Sequence, residues 1–209
     1  MIRIVLLSLL LIAFFIFRKN TGVKIKRNVL TTQECNKIID ISNKYEYEQF
    51  PEEVDLKAAY EIDIYDVEQP NAILNEELWD ICKNIYESHM KKDFPMPGYV
   101  FLRRYTPNER IDLPIHLDEN KFTMSFLLSP RNMYNGGDLY VFDKKATMKY
   151  KYINYGHPDI KNKFVESYKK LPIINYDQGD AVLYSGKEHL HGVLPVTEGT
   201  RYTLSFFFE

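Results

Sequence analysis

Apolar residues recur every three to four positions in the first half of the chain, which is the spacing of an amphipathic helix. The segment Thr31-Thr32-Gln33-Glu34 has the Ser/Thr-x-x-Glu form of a capping box, so a helix is predicted over about 32–46. Between residues 60 and 67 the pattern alternates in places and predicts a strand. A second helix is predicted over about 72–91. Its apolar face consists of Leu74, Leu78, Ile81, Cys82 and Ile85.

From Gly98 onward the apolar residues occur in short aromatic and β-branched runs, separated by turn residues. The predicted strands are Tyr99–Tyr105, Phe122–Leu128, Asp138–Phe142, Ala181–Tyr184 and Tyr202–Phe208. No helix is predicted between these strands, which favours a mainly β fold with N-terminal helices (α+β), closed as a sandwich or jelly roll. Residues 143–175 are too many for a hairpin connection and are predicted to form a solvated, partly ordered loop.

Residues 1–17 are predicted to be an N-terminal hydrophobic anchor, because Ile4–Phe17 contains one polar residue only. The segment reaches the lower limit of about 17 residues for a bilayer span. An uncleaved anchor is favoured over a cleaved signal peptide, because no small-residue cleavage site follows. The chain is therefore expected to be a single-pass membrane protein, with the endoplasmic reticulum as one candidate. Basic residues after the anchor favour a cytosolic domain, whereas a place inside the secretory pathway requires the opposite orientation, so the orientation stays open.

The remaining sequence divides into a basic linker over 18–28, a helical support region over 29–98 and a strand-rich domain over 99–209. The net charge of −2 gives no electrostatic reason to expect a nucleic-acid partner. The two cysteines, Cys35 and Cys82, exclude a disulfide framework, and they form either one bridge or two buried thiols. The oligomeric state is not indicated by the sequence.

Three residues of the second half suit a metal centre: His116, Asp118 and His191. On an extended strand the side chains of residues 116 and 118 point to the same side, because they are two positions apart. The third ligand has to come from elsewhere in the sheet, and both His189 and His191 are available. His191 is preferred, because Gly192 beside it permits the close approach of a ligand. Two imidazoles and one carboxylate can occupy one face of Fe(II) and leave the other face open.

Arg201 follows His191 on the last predicted strand. A guanidinium group binds a carboxylate through two parallel hydrogen bonds, so it can hold the distal end of a dicarboxylate. An open iron site beside an anchored 2-oxo acid is the arrangement of a 2-oxoglutarate-dependent oxygenase. The residues therefore predict a redox enzyme that uses Fe(II), 2-oxoglutarate and O₂.

Several segments resemble the Fe(II)/2-oxoglutarate dioxygenase superfamily, in particular its prolyl 4-hydroxylase and procollagen-lysine hydroxylase branch. They are Arg104–Glu109, His116–Thr123, Gly136–Phe142, Gly179–Ala181 and His191–Thr203. The resemblance covers about 99–209, where it implies the catalytic domain. It also implies a double-stranded β-helix supported by N-terminal helices.

By this resemblance the iron ligands are His116, Asp118 and His191. The resemblance further implies that Arg201 binds the distal carboxylate of 2-oxoglutarate. Tyr105 and Ser205 are weaker candidates for hydrogen bonds to the cosubstrate, since strand residues that face the core would look the same. Ascorbate dependence is a family expectation that no residue reveals.

The implied reaction is hydroxylation of a prolyl or lysyl side chain in a peptide or protein, with release of succinate and CO₂. The loops over 109–113 and 143–175 are expected to wrap such a chain. Two positions depart from many relatives, since Leu113 and Leu127 stand where aromatic residues are common. Phe207 stands where nucleic-acid demethylases of the superfamily carry a second arginine, so a nucleic-acid substrate is not expected.

Three alternatives remain open on the sequence. The first is an oxygenase of the same superfamily that acts on a non-peptide substrate. The second is a membrane-tethered jelly-roll binding module without turnover. The third is a zinc hydrolase, because Zn²⁺ accepts the same ligand types, although Arg201 would then have no evident task.

Overall fold

The structure is a computed structural model and describes residues 22–153, 159–168 and 170–209. Its largest element is a six-stranded antiparallel sheet in the order β1-β8-β5-β11-β3-β2. These strands are β1 (Lys24–Lys26), β2 (Glu61–Asp63), β3 (Tyr99–Tyr105), β5 (Phe122–Leu127), β8 (Ala181–Tyr184) and β11 (Arg201–Phe208). Every strand predicted over 99–209 is present, with small shifts at its ends.

A second layer faces this sheet. It contains a three-stranded sheet in the order β4-β9-β7 and a two-stranded pair of β10 with β6. Their bounds are β4 (Leu113–His116), β6 (Tyr134–Gly136), β7 (Leu139–Val141), β9 (His191–Val193) and β10 (Val196–Gly199). Buried side chains from both layers form one apolar cluster, which includes Tyr105, Leu139, Val182 and Val193. The predicted sandwich of a mainly β protein is thereby confirmed.

The outer face of the six-stranded sheet is covered by helices from the N-terminal part of the chain. Successive residues of β11 point to opposite faces, so Leu204, Phe206 and Phe208 contact the helices while the alternate residues point into the sandwich. The three helices are α1 (Thr32–Ser42), α2 (Pro70–Ile73) and α3 (Glu76–Met90). This packing gives the sheet one fully apolar face and leaves its other face available for polar side chains.

The first helix begins where the sequence predicts and ends earlier. Thr31 is the N-cap, and its hydroxyl accepts a hydrogen bond from the Glu34 backbone N–H while the Glu34 carboxylate accepts one from the Thr31 N–H. The predicted end at residue 46 is wrong, because Ser42 and Tyr47 hydrogen-bond each other through their side chains and the chain turns between them.

The predicted second helix, 72–91, is two helices. The chain leaves helical geometry at Leu74, and the Asn75 side chain accepts a hydrogen bond from the Leu78 N–H to begin α3. Asn is a strong N-cap residue, so the break lies where the sequence places one. The end of the helix at Met90 agrees with the prediction within one residue.

The prediction of a solvated loop over 143–175 is wrong. The described part of this segment contains α4 (Lys144–Ile153) and α5 (Asp159–Glu166). Tyr150 and Phe164 are buried against Phe142, with ring centroids of Phe142 and Phe164 5.3 Å apart. The segment therefore packs on the smaller layer through an apolar cluster that also contains Ile115 and Leu190, and a solvated loop would lack such packing.

The N-terminal segments differ from the prediction where the structure describes them. Residues 24–26, within the predicted basic linker, form β1 and pair with β8 at the edge of the large sheet. The predicted strand over 60–67 is confirmed only as the three residues of β2. The predicted anchor, 1–17, lies outside the described residues, and no helix within those residues has the length and apolarity to cross a membrane. Cys35 and Cys82 are buried and unpaired, and burial raises the pKa of the Cys35 thiol to about 12.

Candidate metal and 2-oxo-acid site

Two paired strands of the smaller layer hold the predicted ligand residues together. His116 ends β4 and is the register partner of His191, which begins β9. Asp118 follows two residues after His116, and its two carboxylate oxygens each lie 3.2 Å from an imidazole Nε2, one from each histidine. One ligand atom from each residue lies within 4.8 Å of the other two. The spacing is that of three ligands around one small cation.

The second nitrogen of each imidazole fixes its protonation. His116 donates from Nδ1 to the Pro114 carbonyl oxygen at 2.8 Å, and His191 donates from Nδ1 to the His189 carbonyl oxygen at 2.9 Å. A carbonyl oxygen accepts only, so the proton of the neutral ring is on Nδ1 and the lone pair is on Nε2. Both lone pairs face Asp118, which is the orientation that a metal-binding histidine requires.

The electrostatics of the three residues favour a bound cation. Burial by itself raises the pKa of the Asp118 carboxyl, but the neighbouring His191 and His116 outweigh burial, so the pKa lies below its usual range. Burial and the neighbouring His191 lower the pKa of His116. Asp118 is therefore ionised at neutral pH and His116 is neutral, which are the forms that bind a metal. Burial lowers the pKa of His191, but the Asp118 charge outweighs burial and raises it, so metal binding there would release a proton.

His189 is placed elsewhere. Its Nδ1 hydrogen-bonds the Phe142 carbonyl oxygen at 2.9 Å, and it does not belong to the cluster of three. The prediction that Gly192 makes room for a ligand beside His191 is wrong, however. The space beside Gly192 is occupied by the Tyr140 hydroxyl, which a Cβ at position 192 would overlap, so this glycine makes room for a side chain of the protein rather than for a ligand.

Arg201 lies in the same cavity as the cluster and is 2% exposed. Its Nη2 donates to the Tyr176 hydroxyl at 2.5 Å, and its guanidinium carbon lies 5.3 Å from the centre of the Tyr105 ring. Its Nε has no hydrogen-bond partner, and no carboxylate of the described residues pairs with it. A buried cation without a counterion is costly, so this site has the character of an anion-binding site.

Tyr176 was missed by sequence reasoning. It is fully buried and holds the Arg201 side chain, yet it lies immediately after the segment interpreted as a loop and was in no predicted element. The sequence carries no signal that joins positions 176 and 201, because their contact depends on how the two layers pack.

The other two predicted cosubstrate residues also line the cavity, which has a volume of about 530 Å³. The Tyr105 hydroxyl is within 3.4 Å of Arg103 Nη1. Ser205 shares a hydrogen bond of 2.9 Å with Ser125 on the neighbouring strand. The Tyr105 ring thus lies beside Arg201, and Ser205 is on the same face of β11 as Arg201. Contacts of either side chain with a cosubstrate remain a prediction.

The two departures from the family pattern have different positions. Leu113 lines the cavity, whereas Leu127 is fully buried in the apolar cluster between the layers and does not line it. The expected wrapping loops also differ from the prediction. Residues 50–54 form part of the cavity wall, and none of the described residues of 143–175 lines it.

A second arginine in the cavity was missed. Arg103 forms ion pairs with Glu52 and Glu61, and Tyr99 donates a hydrogen bond to Glu61 at 3.0 Å. Period-two alternation along β3 places residue 103 on the same face as Tyr105, so this residue could have been found from the sequence. Its glutamate partners, Glu52 and Glu61, could not have been found in this way, because they lie in the part of the chain interpreted as helical support.

The comparisons with known proteins agree with this geometry. The sequence model of the 2OG-Fe(II) oxygenase superfamily matches residues 100–209, more than half of the chain. No curated protein matches the chain in sequence. The chain belongs to the 2OG-Fe(II) oxygenase superfamily, whose members use Fe(II), 2-oxoglutarate and O₂.

Solved structures share the fold at low sequence identity. An oxidoreductase of the 2OG-Fe(II) oxygenase family from Burkholderia pseudomallei has a TM-score of 0.62 and 14% identity, covering 89% of this chain and 84% of that one. A prolyl hydroxylase from Trichoplax adhaerens, in complex with a hypoxia inducible factor oxygen degradation domain peptide fragment, has a TM-score of 0.62 and 12% identity, covering 90% and 84%. The viral collagen prolyl hydroxylase of Paramecium bursaria Chlorella virus-1, in a 2OG complex, has a TM-score of 0.56 and 14% identity, covering 88% and 94%. These similarities confirm the double-stranded β-helix.

Proposed function

We propose that this protein is a 2-oxoglutarate-dependent dioxygenase that hydroxylates a prolyl or lysyl side chain in a peptide or protein. The observation that carries the proposal is the cavity itself, in which a His-Asp-His cluster and a buried, uncompensated arginine lie together. Two prolyl hydroxylases of the same fold, one of them with a bound peptide, support the choice of a peptide substrate.

The donor set fits Fe(II). Two neutral imidazole nitrogens and one carboxylate are ligands that Fe(II) accepts, and they leave open positions for a cosubstrate and O₂. His116, Asp118 and His191 would hold the ion, and the iron would supply the activation of O₂ coupled to decarboxylation of the 2-oxo acid. The orphaned buried oxygen of Asp118 fits this role, since a coordinated cation would satisfy it.

The chain's own residues bind and orient the reactants. Arg201 would bind the distal carboxylate of 2-oxoglutarate, because its Nε has no partner in the protein and the Tyr176 hydroxyl holds the guanidinium through Nη2. Tyr105 and Ser205 would complete the binding site for the cosubstrate.

In the overall reaction one oxygen atom of O₂ enters a substrate C–H bond to give an alcohol. The other oxygen atom enters the carboxylate of succinate as 2-oxoglutarate loses CO₂. Asp118 supports this outcome over halogenation, because it fills the metal position that a halide would need. Ascorbate would act by keeping the iron reduced, and its requirement is part of the proposal.

The test is to incubate the full chain anaerobically with Fe(II), 2-oxoglutarate and Pro- or Lys-containing Gly-X-Y peptides and then to add O₂. The proposal expects succinate and a gain of one oxygen atom on a peptide. Succinate without peptide oxidation would retain the dioxygenase and remove the peptide substrate. Absence of succinate from an iron-loaded preparation would favour the binding module.

A further inference from the structure

The cavity has two ends that differ in charge. Tyr105 of β3 is the register partner of Arg201 of β11, and these residues mark the end that would hold 2-oxoglutarate. Tyr99 is the partner of Phe207, six residues further along the paired strands, which is about 20 Å of extended chain. Tyr99 and Phe207 both line the cavity. We call the end that contains Tyr99, Phe101 and Phe207 the aromatic end.

The aromatic end has a flat apolar wall. The rings of Tyr99 and Phe101 are stacked with centroids 4.7 Å apart, and the Phe207 ring stands edge-on to Phe101 at 5.1 Å. The guanidinium of Arg103 already lies 5.3 Å from the centre of the Phe101 ring. Aromatic faces attract cations, so this wall suits an alkyl chain that carries a positive charge.

The cavity wall carries unpaired negative charge, and part of it is at the aromatic end, because a Cβ at Gly98, next to Tyr99, would lie 3.5 Å from the Glu209 side chain. Glu53, Glu119 and Glu209 line the cavity with exposed side chains, and none of them is in an ion pair within the described part of the chain. The nearest cation of the wall, Arg103, is shared between two carboxylates, Glu52 and Glu61. No lysine lines the cavity. A cationic substrate would be attracted, whereas an anionic one would be repelled.

A buried acceptor without a partner lies beside the metal cluster at the same end. Asn120 is 2% exposed, and its Nδ2 donates to the Thr123 hydroxyl at 2.8 Å, while its Oδ1 accepts no hydrogen bond. A Cβ at Gly186 would overlap both this oxygen and the Asp118 side chain, so the two polar groups are close neighbours. Thr123 is the register partner of Phe207, which places Asn120 at the aromatic end. An unpaired buried acceptor calls for an N–H or O–H donor from a ligand.

We propose that the aromatic end binds the side chain of a lysyl residue in a peptide, with the alkyl stem on the aromatic wall and the ammonium group among the carboxylates and Asn120. The inference rests on the proposed function and chooses between its two substrates. An ammonium group has three donors and a charge. A prolyl ring has neither, and would leave Asn120 Oδ1 and the three glutamates unmatched. The reaction consumes one lysyl C–H bond, one O₂ and one 2-oxoglutarate, and gives one hydroxylysyl residue, one succinate and one CO₂.

The test uses four fluorescent peptides that differ only at the central residue, which is lysine, norleucine, arginine or proline. Each is titrated by anisotropy against the full chain with Fe(II) and 2-oxoglutarate in the absence of O₂, and product is measured after O₂ is added. The lysyl peptide is expected to bind at least about tenfold more tightly than the norleucyl peptide, since a hydrogen bond to a charged group is lost. Only the lysyl peptide is expected to gain oxygen.

Charge reversal at the cavity mouth provides the second arm. The Glu53→Lys/Glu119→Lys variant changes two exposed residues and is expected to abolish the preference for lysine over norleucine. The control Glu166→Lys makes the same change on α5, away from the cavity, and should leave the preference intact.

The outcomes separate the two proposals. Oxidation of the prolyl or norleucyl peptide as readily as the lysyl peptide would overturn the lysyl subsite and retain the dioxygenase. Equal binding of the arginyl peptide would also count against a lysyl subsite. A lysyl preference that disappears in the charge-reversal variant, without any succinate on addition of O₂, would support the subsite and overturn the proposed reaction.

Discussion

Arg201 has a positive charge in the interior of the protein and no carboxylate beside it among the described residues. Its counterion is therefore expected to arrive with a ligand. Arg104 is a useful comparison on the neighbouring strand, because it pairs with Glu109 and lies 4.0 Å from the centre of the Tyr47 ring. Arg104 therefore has a carboxylate partner within the protein, whereas Arg201 has none among the described residues.

This difference gives the first prediction. With 2-oxoglutarate at a hundredfold excess over its Kd, binding should stabilise the Fe(II)-loaded protein by about 2.7 kcal/mol, an increase in Tm of about 5–10 °C for a chain of this size. Arg201→Met should remove most of this increase, whereas Arg104→Met should lower the starting Tm and retain it. Differential scanning fluorimetry under anaerobic conditions measures both. An undiminished shift in Arg201→Met would show that the dicarboxylate binds elsewhere.

Tyr176 provides the second prediction. Its hydroxyl accepts a hydrogen bond from Arg201, so Tyr176→Phe leaves the buried ring in place and frees the guanidinium to move. The KM for 2-oxoglutarate should rise about tenfold, since a hydrogen bond to a charged group is lost, while the Kd of the metal stays the same. Steady-state kinetics with a metal titration separate the two effects. A loss of metal binding would mean that Tyr176 supports the fold of the site as a whole.

The residues of the site could be predicted unequally. His116 and Asp118 were expected on one side of the chain because they are two positions apart, although β4 was not among the predicted strands and ends at His116. Arg201 was found because a guanidinium after a metal motif has a specific chemical use. Tyr176, in contrast, reaches Arg201 only through the packing of the two layers. The alternation of residues along a strand predicts the face to which a side chain points. It does not predict which residue of the other layer that side chain contacts.

At the scale of elements, the start of α1 and the end of α3 were predicted to within one residue, whereas the end of α1 and the break before α3 were missed. Thr31 and Asn75 both act through side-chain acceptors near in sequence, so the signal at these starts is local. The helices of 143–175 were missed because the segment as a whole is rich in lysine and tyrosine, and tyrosine favours strands. Their apolar face becomes clear only from its contact with Phe142.

The third prediction concerns this small helical unit. Phe164→Ala should destabilise the protein by about 3 kcal/mol, because a buried ring is replaced by a cavity. Since none of the described residues of the unit lines the site, hydrogen exchange should accelerate over 144–153 and 159–166 while the metal Kd is unchanged. Mass-spectrometric exchange resolves the segment. Equal acceleration in β4 and β9 would show that the helices and the metal site form one cooperative unit.

At the scale of the whole molecule, the sandwich has one face for helices and one for chemistry. The large sheet presents apolar residues to α1–α3 and polar residues to the cavity, and the smaller layer brings the histidines over that cavity. The overall architecture could be predicted because alternation in each strand determines both faces. The position of residues 50–54 at the cavity wall could not be predicted, because it depends on ion pairs between residues that are far apart in the sequence.

The fourth prediction concerns residues 1–17. An uncleaved anchor should keep the full chain in the membrane fraction after alkaline extraction, with its molecular mass unreduced. Immunoblotting of the fractions, with a tag at the C-terminus, makes the measurement, and a variant with Leu9 and Leu10 replaced by Arg serves as the control. A shortened, extractable product would support a cleaved signal peptide instead.

One cavity of the protein is proposed to combine an iron site with a 2-oxoglutarate site, so that the bound iron can oxidise a substrate. The most direct test of this proposal is succinate formation by the iron-loaded full chain with 2-oxoglutarate and O₂, compared with His116→Ala and Arg201→Ala. Succinate is expected from the wild type, with roughly a hundredfold less from His116→Ala, because a metal ligand is lost, and a strongly raised KM for 2-oxoglutarate in Arg201→Ala. Succinate at an equal rate from wild type and His116→Ala, or none from the iron-loaded wild type with its substrate peptide, would contradict it.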